Sequence, residues 1–185
     1  MSISKAATLW TVCGAVVAGL LGLQSATAQH AEAKAQKIEK AVAILVPTKG
    51  SNVQGRVTFS HENGKNTVHA EISGLTPGEH GFHIHEYGVW SEDGMASGGH
   101  YNPTDHPHAG LHEKERHVGD LGNITADDKG NAELTINDAG FLFHGPTSII
   151  GRGVVVHEKA DDLKTQPSGA AGGRLAVGVV GVAKP

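Results

Sequence analysis

Short segments in which apolar and polar residues alternate recur along most of the chain, and each ends in a run of turn-forming residues. Alternation with a period of two and enrichment in β-branched residues predict β-strands. Eight strands are predicted, at residues 41–46, 53–61, 67–75, 80–86, 118–127, 131–137, 149–158 and 174–183. No convincing amphipathic helix competes with them. The pattern predicts an all-β, antiparallel, eight-stranded sandwich or flattened barrel of the immunoglobulin-like kind.

Two predicted connections, residues 87–116 and 159–173, are too long to be tight turns. Long loops without secondary structure are uncommon in compact domains and usually carry function. We therefore expect these two loops to contribute to a functional site.

Residues 1–28 have the composition of an export signal. Lys5 supplies the positive start, residues 6–23 form an apolar core, and Ala26-Thr27-Ala28 is a small-residue cleavage motif. Cleavage is therefore predicted before Gln29. An uncleaved membrane anchor is the alternative, because about 18 apolar residues is near the lower limit for crossing a bilayer.

Cleavage would leave one domain at residues 40–185, preceded by a flexible polar extension at residues 29–39. The protein would then be periplasmic or secreted, without stable membrane association. Cys13, the single cysteine, lies within the signal, so the exported domain would contain no disulfide. The formal net charge is −4 and no basic block occurs, which argues against nucleic acid as a partner.

Histidines are concentrated in one tract, since eight of the thirteen lie between His80 and His117. Neutral imidazole is the commonest protein ligand for metals. A tract rich in histidine and poor in carboxylates indicates a nitrogen-rich site for a borderline transition metal such as zinc or copper.

His83 and His85 lie two residues apart on a predicted strand, so both project from one face while Phe82 and Ile84 face the core. Other candidate ligands share an imidazole or carboxylate side chain: His157 at the end of a later strand, and His100, His106, His108, His112, His117 and Asp120 on or just after the first long loop. Three imidazoles and a carboxylate suit zinc, and four imidazoles suit copper(II). Spacing alone does not choose among the loop histidines.

Several separated motifs resemble the copper/zinc superoxide dismutase family. They are GFHIHE (81–86), GGHYNP (98–103), ERHVGDLGN (115–123), IIGR (149–152), VVVHEKADDL (154–163) and GGRLA (172–176). The resemblance runs from about Lys40 to Ala183, in the family's order. It implies a Greek-key β-barrel with metals bound outside the barrel, beneath the two long loops.

The resemblance also implies a role for particular residues. The copper ligands would be His83, His85, His100 and His157, and the zinc ligands would be His100, His108, His117 and Asp120. His100 would bridge the two metals. His106 and His112 match no ligand position and are expected to be solvated loop residues.

Three further residues match supporting positions of the family. Asp161 would hydrogen-bond ligands of both metals, and His80 would lie behind the predicted strand that carries His83 and His85. Arg174 would attract the substrate anion beside copper. Gly81 and Gly119 are expected to serve backbone geometry.

The implied activity is dismutation of superoxide, with copper and zinc as cofactors, superoxide as the small-molecule partner and His100 as a proton donor. A homodimer is one option, because family members dimerise through different faces and some stay single. The alternative is a non-catalytic copper/zinc-binding protein of the same fold, serving as a metal buffer or carrier. A dinuclear hydrolase is disfavoured, because such sites usually bridge metals with carboxylates.

The chain departs from the family pattern at the disulfide. Trp90 or a near neighbour takes the place of the loop cysteine, and Val177 takes that of the last-strand cysteine. Such a bridge is typically worth about 2–4 kcal/mol. We hypothesise that Trp90 and Val177 replace it by apolar packing.

The surroundings of Arg174 depart from the family as well. Val89 and Ala170 stand where the family usually has a small polar residue and an asparagine, which bears on the pose of Arg174. The second long loop lacks the charged cluster of many relatives. Lys159 or Lys164 is expected to supply the positive field instead.

Overall fold

The structure is a computed structural model that describes residues 37–137 and 139–184. Nine strands are found there: β1 Lys40–Pro47, β2 Gln54–Glu62, β3 Lys65–Ser73, β4 Gly78–His85, β5 Asp120–Ala126, β6 Ala132–Asn137, β7 Gly153–His157, β8 Arg174–Val179 and β9 Gly181–Val182. A single 3₁₀ turn spans Met95–Ser97. None of the helical structure in the described ranges has the length and apolarity needed to cross a bilayer. The predicted signal at residues 1–28 and most of the predicted extension lie outside the described residues.

The strands form one antiparallel sheet that closes on itself. Their order is β2-β3-β6-β5-β4-β7-β8-β1-β9, and a further pairing of β1 with β2 completes an eight-stranded barrel. The connections from β3 to β4 and from β6 to β7 cross over other strands, which is the Greek-key arrangement. The prediction of an eight-stranded antiparallel barrel is confirmed, with β9 as a two-residue addition beside β1.

Alternating residues of each strand fill the barrel. In β4, Phe82 and Ile84 belong to the apolar core, together with Val154 and Val156 of the adjacent β7. The intervening His83 and His85 project from the outer face and are nevertheless 0% and 2% exposed. Loops must therefore cover the outer face of β4, and this cover is what creates a site outside the barrel.

Two strand predictions were wrong at their boundaries. The strand predicted at residues 149–158 begins only at Gly153, because residues 149–152 form a turn in which the Arg152 amide donates to the Ile149 carbonyl (3.0 Å). The strand predicted at residues 174–183 is interrupted at Val180. The Val180 amide still continues the ladder by donating to the Arg152 carbonyl (2.9 Å), but the Val180 carbonyl accepts from Gly151, because the Arg152 amide has turned back to Ile149. Gly181 and Val182 then pair as β9 with β1, the strand that β8 already pairs with.

Candidate metal centre

Four buried histidines gather on the outer face of the barrel. His83 and His85 come from β4, His157 ends β7, and His100 on the first long loop pairs with His85 in an isolated antiparallel bridge. One ring nitrogen of each lies within 4.8 Å of the others. Strand alternation aligns the first pair, and the bridge brings the loop back over the end of β4.

Hydrogen bonds assign the protonated nitrogen of these rings. His83 Nε2 donates to the Asp161 carboxylate (2.8 Å), while His85 Nδ1 and His157 Nδ1 donate to main-chain carbonyls (2.9 and 3.3 Å). Each ring is thereby left with one lone pair on its other nitrogen. His83 Nδ1 and His100 Nε2 are buried without a partner, and the Nε2 atoms of His85 and His157 face each other at 3.2 Å.

Burial keeps the rings of His83, His85 and His157 neutral. It lowers the pKa of His83 to about 4, against a partial opposing effect of the Asp161 hydrogen bond, and it lowers the pKa of His157 to about 3. The pKa of His85 falls well below its ordinary value for the same reason, helped by His157. The neutral imidazoles of His83, His85 and His157, together with the unpartnered Nε2 of His100, form a set of nitrogen donors that can hold a cation.

A second group shares His100 and surrounds one carboxylate oxygen. The Nδ1 atoms of His100, His108 and His117 lie 2.8, 2.9 and 3.2 Å from Asp120 Oδ1. The first two distances are hydrogen bonds, whereas His117 Nδ1 lacks hydrogen-bond geometry and has no partner. The other oxygen of Asp120 accepts the amides of Ala109 and His117 (both 3.1 Å). Three imidazoles and one carboxylate around a common point fit the donor set that tetrahedral zinc prefers.

The charges of this second group are set by its hydrogen bonds. Burial alone would raise the pKa of Asp120, but hydrogen bonds from His100 and His108 outweigh burial and lower it. Burial likewise opposes protonation of His108, yet hydrogen bonds to Asp120 and Asp161 raise the pKa of His108 to about 9. Burial lowers the pKa of His117. His108 is thus held as a cation between two carboxylates, a charge that a metal ion can replace.

Asp161 connects the two groups. Its Oδ2 accepts from His83 (2.8 Å) and its Oδ1 from His108 Nε2 (3.0 Å), and these bonds lower the pKa of Asp161 although burial opposes them. Asn123 fixes its backbone by pairing with both its amide (2.7 Å) and its carbonyl (2.9 Å). Gly169 lies so close that a Cβ there would overlap Asp161 Oδ1. One carboxylate therefore orients a histidine of each group.

Arg174 is anchored beside the four-histidine group by loop atoms. Its guanidinium donates to the carbonyl of Gly94, to Ser97 Oγ (2.7 Å) and to the carbonyl of Gly98 (2.6 Å). The Gly98 carbonyl also accepts from His85 (2.9 Å), so the two side chains share one acceptor. Burial lowers the pKa of Arg174, but guanidinium stays protonated in proteins. Within the described ranges no carboxylate forms an ion pair with Arg174, so its charge is available to an anion.

The protein was compared with known families and structures. The model of the family described as "Copper/zinc superoxide dismutase (SODC)" matches residues 53–180, well over half of the chain. The chain belongs to the copper/zinc superoxide dismutase family. A solved structure titled "Crystal Structure Analysis of the clock protein EA4" is 40% identical, with a TM-score of 0.73. The match covers 80% of this chain and 98% of that one.

The other histidines in the described part of this superoxide dismutase family member lie outside both groups. His80 is buried and holds the backbone of His157, since its Nδ1 lies 2.8 Å from the His157 carbonyl. His106 and His112, which were expected to be solvated, are half-buried and exposed respectively. His61 and His69 make side-chain contacts with Asn66 and Thr135 on neighbouring strands.

Gly94, four residues after Trp90, is the loop residue for which the structure shows close approach to Val177. Trp90 is 48% exposed, whereas Val177 is fully buried. A Cβ added to Gly94 would lie 2.6 Å from Val177 Cγ2. In this superoxide dismutase family member the loop approaches the last strand of the barrel through a glycine.

Sequence reasoning missed the residues that support the site through the backbone or through space. Asn123 and Gln166 bind main-chain atoms of Asp161 and His108, and Gly169 leaves room for the Asp161 carboxylate. An amide that pairs with a distant backbone leaves no spacing or residue-type signal in the superoxide dismutase sequence. Gly169 has a positive φ (66°), a conformation that favours glycine, so its residue type is the one signal among these three positions that the sequence offers.

Proposed function

We propose that the protein is a copper/zinc superoxide dismutase, which converts two superoxide anions and two protons to dioxygen and hydrogen peroxide. The observation that carries the proposal is the convergence of four buried imidazoles beside an arginine anchored without a carboxylate partner in the described residues. Family membership supports the same conclusion. A metal buffer would need the ligands but would have no use for the arginine.

The donor atoms support two different metals. Copper would be held by the four imidazoles of His83, His85, His100 and His157, and zinc by the three imidazoles and carboxylate of His100, His108, His117 and Asp120. Bound copper would supply the one-electron couple by which one superoxide is oxidised and the next is reduced.

His100 is the proposed proton donor. Its Nδ1 is fixed on Asp120 (2.8 Å), so the ring is oriented with Nε2 directed toward the other three histidines. Nε2 has no protein partner and can therefore hold a proton and deliver it to the departing peroxide. Asp120 stays ionised and keeps the ring in this orientation.

Arg174 is the proposed anion-binding residue. Three of its five N–H groups are engaged by Gly94, Ser97 and Gly98, which leaves two for a small anion. A charge fixed by neutral partners retains its attraction for superoxide, and a positive cleft raises the association rate of an anion even when the net charge is −4.

The direct test is superoxide dismutation by protein reconstituted with copper and zinc, compared with a His157→Ala variant prepared identically. His157 is 5% exposed and offers Nε2 to the four-histidine group. With unbound copper removed from both samples, we expect rapid turnover by the parent protein and a large fall in the variant. Absence of turnover by the fully loaded parent, or equal activity of parent and variant, would contradict the proposal.

The second candidate is a non-catalytic metal-binding protein of the same fold. The observation that favours it is the similar solved structure, whose title names a clock protein and no enzymatic activity. The two candidates differ in one measurement. Tight binding of copper and zinc without superoxide turnover, at full occupancy, would establish the binding function instead.

We further propose that the protein is exported and cleaved before Gln29, on the strength of the Ala26-Thr27-Ala28 motif. The mass of the protein recovered from the periplasm or medium tests this directly. A mass that includes residues 1–28 would support the membrane-anchor alternative.

A further inference from the structure

The side chain of Gln166 binds the backbone of His108 at both ends. The His108 amide donates to Gln166 Oε1 (2.8 Å), and Gln166 Nε2 donates to the His108 carbonyl (2.7 Å) and to the Lys164 carbonyl (3.2 Å). The two residues lie 58 positions apart. The Gln166 side-chain amide thus pairs with the main chain of His108 as a neighbouring strand would. This pairing fixes both the position and the direction of the His108 backbone.

This pairing joins the two long loops at the candidate zinc site. Gln166 lies on the loop between β7 and β8, and His108 lies on the loop between β4 and β5. Asp120 and Asp161 orient the His108 ring through its two nitrogens (2.9 and 3.0 Å). Those bonds act on the ring only, so the backbone beneath the ring depends on other contacts. The chain has a single cysteine, Cys13, so no disulfide within the chain can tie the loops together.

We propose that Gln166 is a positioning residue for zinc: its amide clamps the His108 backbone so that the ring is presented to the ion already in place. The inference rests on the proposed assignment of His108 as a zinc ligand. A pre-positioned ligand loses less conformational freedom when the ion binds, and partners behind metal ligands typically change metal affinity by about 10–100-fold. Gln166 is itself exposed, so its replacement leaves the core intact.

The chain offers a matched control in the adjacent residue. Thr165 lies on the same loop and is also exposed, and its hydroxyl donates to the Asp162 carboxylate. Thr165→Ala removes a side-chain hydrogen bond from this loop without touching His108. A general loosening of the loop would therefore affect Thr165→Ala and Gln166→Ala alike, whereas the clamp affects only the second.

Zinc release from fully metallated protein to a chromogenic chelator is the measurement, made on the parent, Gln166→Ala, Gln166→Glu and Thr165→Ala. We expect release about tenfold faster from Gln166→Ala than from the parent. Gln166→Glu should release zinc at least as fast as Gln166→Ala, because a carboxylate accepts a hydrogen bond from the His108 amide but repels the His108 carbonyl oxygen. Thr165→Ala should stay within about twofold of the parent, since its lost bond does not reach a ligand.

Equal zinc release from Gln166→Ala and the parent, or from Gln166→Ala and Thr165→Ala, would overturn the inference. The test does not use enzymatic activity. A parent protein that retains zinc in a Gln166-dependent manner but does not dismute superoxide would contradict the proposed function and leave the role of Gln166 standing.

Discussion

Gly169 provides a sharp test of how the site is supported, because it leaves room for the carboxylate that joins both metal groups. Its φ is +66°, and an added Cβ would overlap Asp161 Oδ1 and lie 2.8 Å from His108 Nε2. In a Gly169→Ala variant the methyl group and the carboxylate cannot both keep their positions. Asp161 must move away from its hydrogen bonds with His83 and His108.

Two separable losses follow from this substitution. Alanine in a left-handed conformation costs about 1–2 kcal/mol of folding free energy at any exposed turn. Displacement of Asp161 costs more at the site, since each of its two bonds to imidazole is worth about 1.5–3 kcal/mol. We therefore expect copper and zinc affinities to fall by about 10–100-fold, the range found when partners behind metal ligands are removed.

Gly64 separates the two losses. It has a φ of +78° in the turn between β2 and β3, and an added Cβ there would meet no atom within 4 Å. Gly64→Ala should lose only the backbone part of this stability, about 1–2 kcal/mol in denaturant unfolding of the metal-free protein, and keep the metal affinities of the parent. Competition titrations with chelators would measure the affinities. Metal affinities of Gly169→Ala within about twofold of those of Gly64→Ala would refute the role assigned to the Gly169–Asp161 contact.

Three other predictions address charge. Arg174→Ala should slow superoxide turnover by about tenfold or more and weaken its salt dependence at unchanged metal content, because it removes the fixed cation beside the four histidines; a pulse-radiolysis rate equal to that of the parent would contradict this. Replacing Lys159 and Lys164 together by alanine should lower the rate at low ionic strength, and an unchanged salt dependence would exclude them as the source of the positive field. The metal-free protein should lose stability as pH falls from 6.5 toward 4. In the folded state the pKa of His83 is about 4 and that of His157 is about 3, both below the ordinary value of 6.5. The unfolded chain therefore binds more protons than the folded protein in this pH range. Urea unfolding at pH 7.5 and pH 5 measures this loss, and equal stabilities would show that these rings are not held neutral.

Most strands were predictable because one face of each is buried and the other meets solvent or loop. The errors occur where backbone geometry, and not hydrophobicity, ends a strand. Ile149 is fully buried in a turn and so gives the same apolar signal as a strand residue. Val180 is buried as well, yet its carbonyl accepts from Gly151 and not from the residue opposite, Arg152, whose amide is bonded to Ile149. Burial can be read from a sequence, whereas the choice of hydrogen-bond partner cannot.

A similar distinction applies to the site. The six histidines and Asp120 of the two candidate metal groups could be named from the sequence, because metal binding demands particular side chains and the resemblance to the family selects among the loop histidines. The sequence does not show which ring nitrogen of His83 or His100 carries the free lone pair, because this depends on which nitrogen forms a hydrogen bond with a neighbouring residue. The roles of Gln166 and Gly169 stayed hidden for a related reason, since both act on atoms that every residue carries or on the absence of a side chain.

His100 belongs to both metal groups, and Asp161 contacts one histidine of each. When an ion at one site orders these two residues, part of the conformational entropy that binding at the second site would remove is already lost. Occupancy of the two sites is therefore coupled. Reciprocity then requires that zinc strengthen copper binding by the same factor as copper strengthens zinc binding. We expect the half-loaded protein to be a minor species during metal titration, and the two-metal form to accumulate as though a single cooperative unit were filling.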